Sequence, residues 1–190
     1  MAIIEEHRLV DATWRQTINW DERPDWVLGP ELVVIHCMSL PEGEFGTGAP
    51  TRLFCNVLDA TEHPSFCELA DLRVSAHALI LRGGQVEQFV RFDQRAWHAG
   101  VSSWRGRDNC NDFSIGIELE GSVSQGYTEA QYAALFALCR ALMMVYPHLG
   151  ADTFVGHSDV APGRKQDPGR YFDWIHFYRT LHQGLYRESS

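Results

Sequence analysis

The sequence predicts a single-domain α/β fold, and three stretches predict it. Leu32-Val33-Val34-Ile35-His36-Cys37 is an unbroken apolar, β-branched run of strand length, the pattern of a strand covered on both faces. Phe113-Ser114-Ile115-Gly116-Ile117-Glu118-Leu119-Glu120-Gly121 alternates, with Ile115, Ile117 and Leu119 on a core face and Ser114, Gly116, Glu118 and Glu120 on the other. Thr128-Glu129-Ala130-Gln131 is a capping box, after which Tyr132, Leu135, Phe136, Cys139, Leu142, Met143 and Tyr146 recur at helical spacing until Pro147. With 190 residues, 45% of them hydrophobic, the chain buries a core without covalent staples.

The remaining elements follow in order. Residues 1–30 mix charges with Trp14, Trp20, Trp26 and Pro24 in no clean period, and are expected to form an irregular lead-in that packs its tryptophans on the domain. The strand at residues 32–37 ends in His36, at the edge where α/β sheets place functional groups, although taken alone it reads first as a satisfied core histidine. Residues 39–73 read as a long loop region, Gly-rich at first, with a short helix over residues 53–58. Loops of this length in a compact domain are usually functional, so a substrate-facing wall or lid is expected. Residues 74–81 predict a strand, Arg82-Gly83-Gly84-Gln85 a hairpin turn, and residues 86–90 the returning strand. His77, between small residues of that strand, reads as a core histidine more than as a ligand. Ala96-Trp97-His98-Ala99-Gly100 sets an aromatic and an imidazole among small residues, a composition suited equally to contacting a sugar or peptide and to an ordinary packed tryptophan. Phe154-Val155-Gly156 is a short strand, and residues 172–181 are a closing helix with Trp174, Phe177, Tyr178 and Leu181 on its apolar side.

Composition excludes several functions. The formal net charge is −9, with no basic run, which argues against nucleic acid and anionic membrane as partners. No apolar run approaches the ~18 residues of a membrane span. Five cysteines with no CxxC suggest neither a disulfide framework nor a cysteine zinc site. The first residues, Met1-Ala2-Ile3-Ile4-Glu5-Glu6, lack the basic and apolar regions of a signal peptide, so a cytoplasmic location is expected.

The chemistry concentrates in Gly156-His157-Ser158-Asp159-Val160-Ala161-Pro162-Gly163-Arg164-Lys165-Gln166-Asp167-Pro168-Gly169, where prolines and glycines fix the spacing of an imidazole, an ammonium and a carboxylate. A solvated connecting loop is the alternative reading of that stretch. Together with His36 and the cleft carboxylate Glu118, these groups make one candidate site. His36, His157 and Asp167 form a three-ligand set for catalytic zinc, Glu118 is placed to move a proton, and Lys165 to stabilise an oxyanion. Spacing alone does not bring them together, since they come from three distant segments. No Walker loop, no GxGxxG ahead of a helix and no G-x-S-x-G is present.

The stretches LVVIHCMSLPEGEFG, HPSF, LRVSAHALI, VEQFVRFDQRAWHAGVSSWRGR, CNDFSIGIELEG and VGHSDVAPGRKQDPG, which run from about residue 32 to residue 174, resemble the N-acetylmuramoyl-L-alanine amidase type 2 family, which also holds the peptidoglycan recognition proteins. The resemblance implies a mixed, mostly parallel central sheet flanked by helices, and one zinc ion per chain on His36, His157 and Asp167. It implies Glu118 as the catalytic glutamate, Lys165 as the transition-state lysine, and Arg73, with the Trp97-His98 loop, as substrate contacts. The implied reaction is hydrolysis of the amide between the lactyl group of 1,6-anhydro-N-acetylmuramic acid and L-alanine, in a muropeptide released by cell-wall turnover. A monomer is expected. The chain departs from the family pattern at Cys37, where asparagine is expected, at Ser65, where an aromatic is expected, and at Asn109, where some relatives carry a basic residue. These bear on substrate preference and leave the ligand set intact. A muropeptide-sensing module that does not cut is the competing class. Such modules lose a ligand, and all three are present here.

Overall fold

The computed structural model describes residues 2–187, the last five by backbone alone. In chain order the principal elements are β1 (Thr13–Trp14), β2 (Leu32–Met38), α1 (Ala49–Phe54), β3 (Ala78–Ile80), β4 (Val86–Gln88), β5 (Ser114–Glu120), α2 (Glu129–Val145), β6 (Phe154–Gly156), α3 (His157–Val160) and α4 (Trp174–Arg187). The six strands form one sheet in the order β6-β2-β5-β3-β4-β1. β2 pairs in parallel with β5 and β6, β5 with β3, and β1 with β4, while β3 and β4 form the antiparallel hairpin. The sheet is mixed and mostly parallel, in one domain.

The two faces of the sheet have different tasks. Val33 and Ile35 of β2 and Ile115, Ile117 and Leu119 of β5 point to one side, where α2 and α4 cover them with Leu135, Cys139, Leu142, Phe177 and Leu181. All of these are at most 1% exposed, and burying each large aliphatic or aromatic side chain contributes ~1.5–3 kcal/mol. The opposite side carries His36, Ser114, Gly116 and Glu118 towards the loops. This two-sided cover explains why β2 reads as a continuous apolar run.

Several expectations shift. Trp14, Trp20 and Trp26 are 40%, 37% and 59% exposed, so the lead-in keeps its tryptophans at the surface, only partly covered by the domain. Arg8 covers the Trp14 ring at 4.0 Å, and the lead-in contributes the edge strand β1. The helix expected at residues 53–58 lies at Ala49–Phe54, started by Pro50 in its first turn and ended before Asn56, whose φ is 58°. The strand expected at residues 74–81 is regular only over Ala78–Ile80, while Ser75 and His77 ahead of it donate their backbone N–H groups to the carbonyls of Trp97 and Gly116. His157 begins the single-turn helix α3 instead of a loop. The closing helix spans Trp174–Arg187, with Phe177 and Leu181 fully buried as its apolar face requires. All five cysteines are free thiols.

Candidate active site

Strand register brings the site together. In the parallel pair β2–β5, His36 lies directly beside Glu118, so both side chains leave the same face of the sheet at the same level. In β6, Gly156 lies beside Ile35, so the next residue, His157, emerges level with His36. Asp167 returns to this point because its carbonyl accepts from the backbone N–H of Ser158, at 3.0 Å. Pro168 then packs so closely on Gly156 that a Cβ there would fall 2.9 Å from Pro168 Cδ. Only glycine fits at that turn.

The outcome is a small triangle of electron-rich atoms. His36 Nδ1 is 2.9 Å from His157 Nδ1 and 3.1 Å from Asp167 Oδ2, and His157 Nδ1 is 3.0 Å from the same oxygen. His157 Nε2 is 3.0 Å from the Ala99 carbonyl, which only accepts, so the ring proton is on Nε2 and the Nδ1 lone pair faces the triangle. Lone pairs converging on a carboxylate oxygen at these separations need a positive charge between them. Two imidazoles and a carboxylate, with donor atoms within 4.8 Å of one another, suit a divalent ion of the zinc type.

Burial tunes each group. It pushes the His36 imidazole down to about 4, so the ring is neutral near pH 7, the form that ligates. Glu118 is 8% exposed, and its Oε2 is buried with no hydrogen-bond partner among the described residues. Burial first, and the Asp167 charge second, push its carboxyl well above the ordinary glutamate range, with Lys165 opposing them. Lys165 is exposed at the mouth and makes no ion pair among the described residues.

These groups line a cavity of about 270 Å³, walled on the far side by Leu53, Phe54, Leu69 and Leu72. The region 39–73 thus supplies the wall expected of it. Trp97 lines the cavity and donates its indole N–H to Asp21. Arg73 does not line it. It sits on the chain between Leu72 and Val74, which do, and donates to Asn56 Oδ1 at 2.7 Å. His98 lines the cavity, but both its ring nitrogens have protein partners, His36 and Ser114. Of the three departures from the family pattern, only Cys37 reaches the cavity, and burial pushes its thiol up to about 12, so it is no nucleophile. His77 stands apart from the triangle. It is fully buried, with Nδ1 accepting from the Gly116 N–H and Nε2 beside the Gln94 carbonyl. Sequence reasoning missed Ala99, Asn111 and Ser114. Ser114 had a signal, since it shares the alternating face of Gly116 and Glu118.

A parallel-sheet edge bearing two imidazoles, a carboxylate and a buried glutamate over a cavity agrees with what comparison shows. The chain belongs to the N-acetylmuramoyl-L-alanine amidase family, whose model matches residues 27–170. It is 51% identical over 175 residues to the 1,6-anhydro-N-acetylmuramyl-L-alanine amidase AmpD of Escherichia coli K12, covering 92% of this chain and 94% of that one. The crystal structure of a selenomethionine derivative of AmpD superposes with a TM-score of 0.91 at 49% identity, covering 94% of this chain and 99% of the other. The AmiD amidase of E. coli, in complex with anhydro-N-acetylmuramic acid-L-Ala-D-γ-Glu-L-Lys, superposes at 0.59 with 28% identity, covering 94% of this chain and 65% of that one.

Proposed function

We propose that this protein is a zinc-dependent amidase that cleaves the lactyl amide between 1,6-anhydro-N-acetylmuramic acid and L-alanine in soluble muropeptides. The observation that carries the reading is the His36–His157–Asp167 triangle with the unpartnered Glu118 carboxyl buried in the same cavity. The substrate class is supported by the AmpD and AmiD relatives, whose names and bound ligand specify anhydro-muramyl peptides.

His36, His157 and Asp167 would hold the ion. What zinc supplies is Lewis acidity, polarising a carbonyl and lowering the pKa of a coordinated water towards ~7. Glu118 takes a proton from the attacking water and passes it to the leaving amine of L-alanine. Its raised affinity for protons favours the first of these steps. Lys165, at the mouth, meets negative charge developing on the carbonyl oxygen. The apolar wall excludes water around Glu118 and keeps these charges effective.

Purified, zinc-loaded protein should convert an anhydro-muropeptide into free anhydro-N-acetylmuramic acid and peptide, with products read by mass spectrometry. Polymeric cell wall and reduced-sugar muropeptides should react far more slowly. No release of peptide from the anhydro substrate would refute the amidase reading. Equal kcat/KM on anhydro and reduced sugars would refute the sugar preference alone.

A further inference from the structure

His98 is bonded on both ring nitrogens, and the chain of bonds has a direction. At its far end, Ser114 Oγ is 2.5 Å from the Cys110 carbonyl. A carbonyl only accepts, so the hydroxyl proton lies between them and the hydroxyl oxygen is left as an acceptor. His98 Nε2, 3.2 Å from that oxygen, therefore donates to it. A neutral imidazole carries one N–H, so His98 Nδ1 accepts, and His36 Nε2 donates to it at 2.9 Å. His36 Nδ1 is then left with a lone pair facing Asp167 and His157.

Strand β5 is built to hold this chain. Ser114, Gly116 and Glu118 are alternate residues on one face. Ser114 takes the outer nitrogen of His98. A Cβ on Gly116 would fall 2.4 Å from His98 Cγ, so glycine makes room for the ring. The neighbouring backbone completes the arrangement. The N–H groups of His98 and Ala99 both donate to Asn111 Oδ1, at 3.1 and 2.8 Å, and the Ala99 carbonyl faces His157 Nε2. One two-residue segment thereby touches the outer nitrogen of both imidazoles in the triangle.

We propose that His98 is a positioning residue, which with Ser114 holds His36 in the tautomer that presents Nδ1 to the metal. This deepens the reading above and rests on its assignment of His36, His157 and Asp167 as ligands. Loss of the outer partner of a ligating histidine typically weakens metal binding 10–100-fold.

The test is zinc affinity of the full chain, by competition with a chromogenic chelator, in wild type and in His98→Leu, His98→Asn and Ser114→Ala. Melting of the metal-free forms is followed alongside. His98→Leu should bind zinc 10–100-fold more weakly. His98→Asn, whose Oδ1 can accept where Nδ1 did, should recover most of the affinity, and Ser114→Ala should fall between wild type and His98→Leu. Long-range 1H–15N NMR of the metal-free protein should place the His36 proton on Nε2 in wild type and shift it towards Nδ1 in Ser114→Ala, a near-isosteric change that tests the chain even if His98→Leu misfolds. Zinc affinity within twofold of wild type in both His98→Leu and Ser114→Ala, or an unchanged His36 tautomer in Ser114→Ala, would overturn the proposal alone. Failure of the wild type to take up zinc would overturn the ligand assignment and this proposal with it.

Discussion

Glu118 sits at 8% exposure with an unpaired oxygen, a costly arrangement that its proposed role explains. Glu118→Gln should retain zinc and lose ~10²–10⁴-fold in kcat, measured with a defined anhydro-muropeptide. The same change should reveal the stability cost. Because the folded-state affinity for a proton is raised, the contribution of Glu118 to stability is full below its ordinary value of 4.5 and is lost as pH rises through the raised value. Metal-free Glu118→Gln should therefore melt above metal-free wild type in neutral and mildly alkaline solution, and the gap should close as pH falls to 4.5. A constant gap would contradict the assigned shift. Asp167 provides the one carboxylate in the triangle, so Asp167→Ala should lose most of its zinc by metal analysis, and full occupancy would remove it from the ligand set. The Lys165 ammonium makes no ion pair among the described residues, so Lys165→Ala should lower kcat more than it raises KM. A change confined to KM would make it a ground-state contact.

At the scale of elements, α2 carries the clearest local determinants. Thr128 Oγ1 accepts from the Gln131 N–H at 3.1 Å, and Gln131 Oε1 accepts from the Thr128 N–H at 3.2 Å. Thr128 also donates to the Arg82 carbonyl, and Gln131 to those of Ile80 and Glu120, so the cap ties α2 to the ends of β3 and β5. Thr128→Ala should cost about 0.5–2 kcal/mol. In a domain of this size each kcal/mol lowers Tm by roughly 2–4 °C. Zinc binding and kcat should stay as in wild type, since the cap lies on the α2 end of the hairpin and touches no group of the cavity. A Tm unchanged by the substitution would mean that tertiary contacts hold the helix start without its cap.

Over the whole molecule, several imidazoles are buried in neutral form. Burial pushes His36 down to about 4 and His77 to about 3. In the unfolded chain both would titrate near 6.5, so the unfolded state gains protons first as pH falls. The metal-free protein should therefore lose stability progressively from pH 6.5 towards 4, seen as a falling urea midpoint. Bound zinc stabilises only the folded state, so saturating metal should raise the midpoint near pH 7. A flat profile between 6.5 and 4.5 would mean that these rings are solvated and protonate in the folded state.

The sequence by itself determined the class of fold and named the candidate residues of the site. The apolar run of β2, the alternation of β5 and the capped stripe of α2 are local patterns, and each reports its own burial. The glycines and prolines around His157, Lys165 and Asp167 showed that the spacing of those groups is held. What only the tertiary structure decided is how they meet. Lateral register between β2, β5 and β6 is a non-local choice, and it alone sets His36 level with Glu118 and His157. The same holds for His98. Its place in a Trp-His loop suggested a substrate contact, but the space above Gly116 and the hydroxyl of Ser114 turn its ring onto His36. The lead-in tryptophans and the offset of α1 escaped the sequence for the converse reason: short irregular segments carry no periodic signal, so their packing follows from the surface the finished sheet presents.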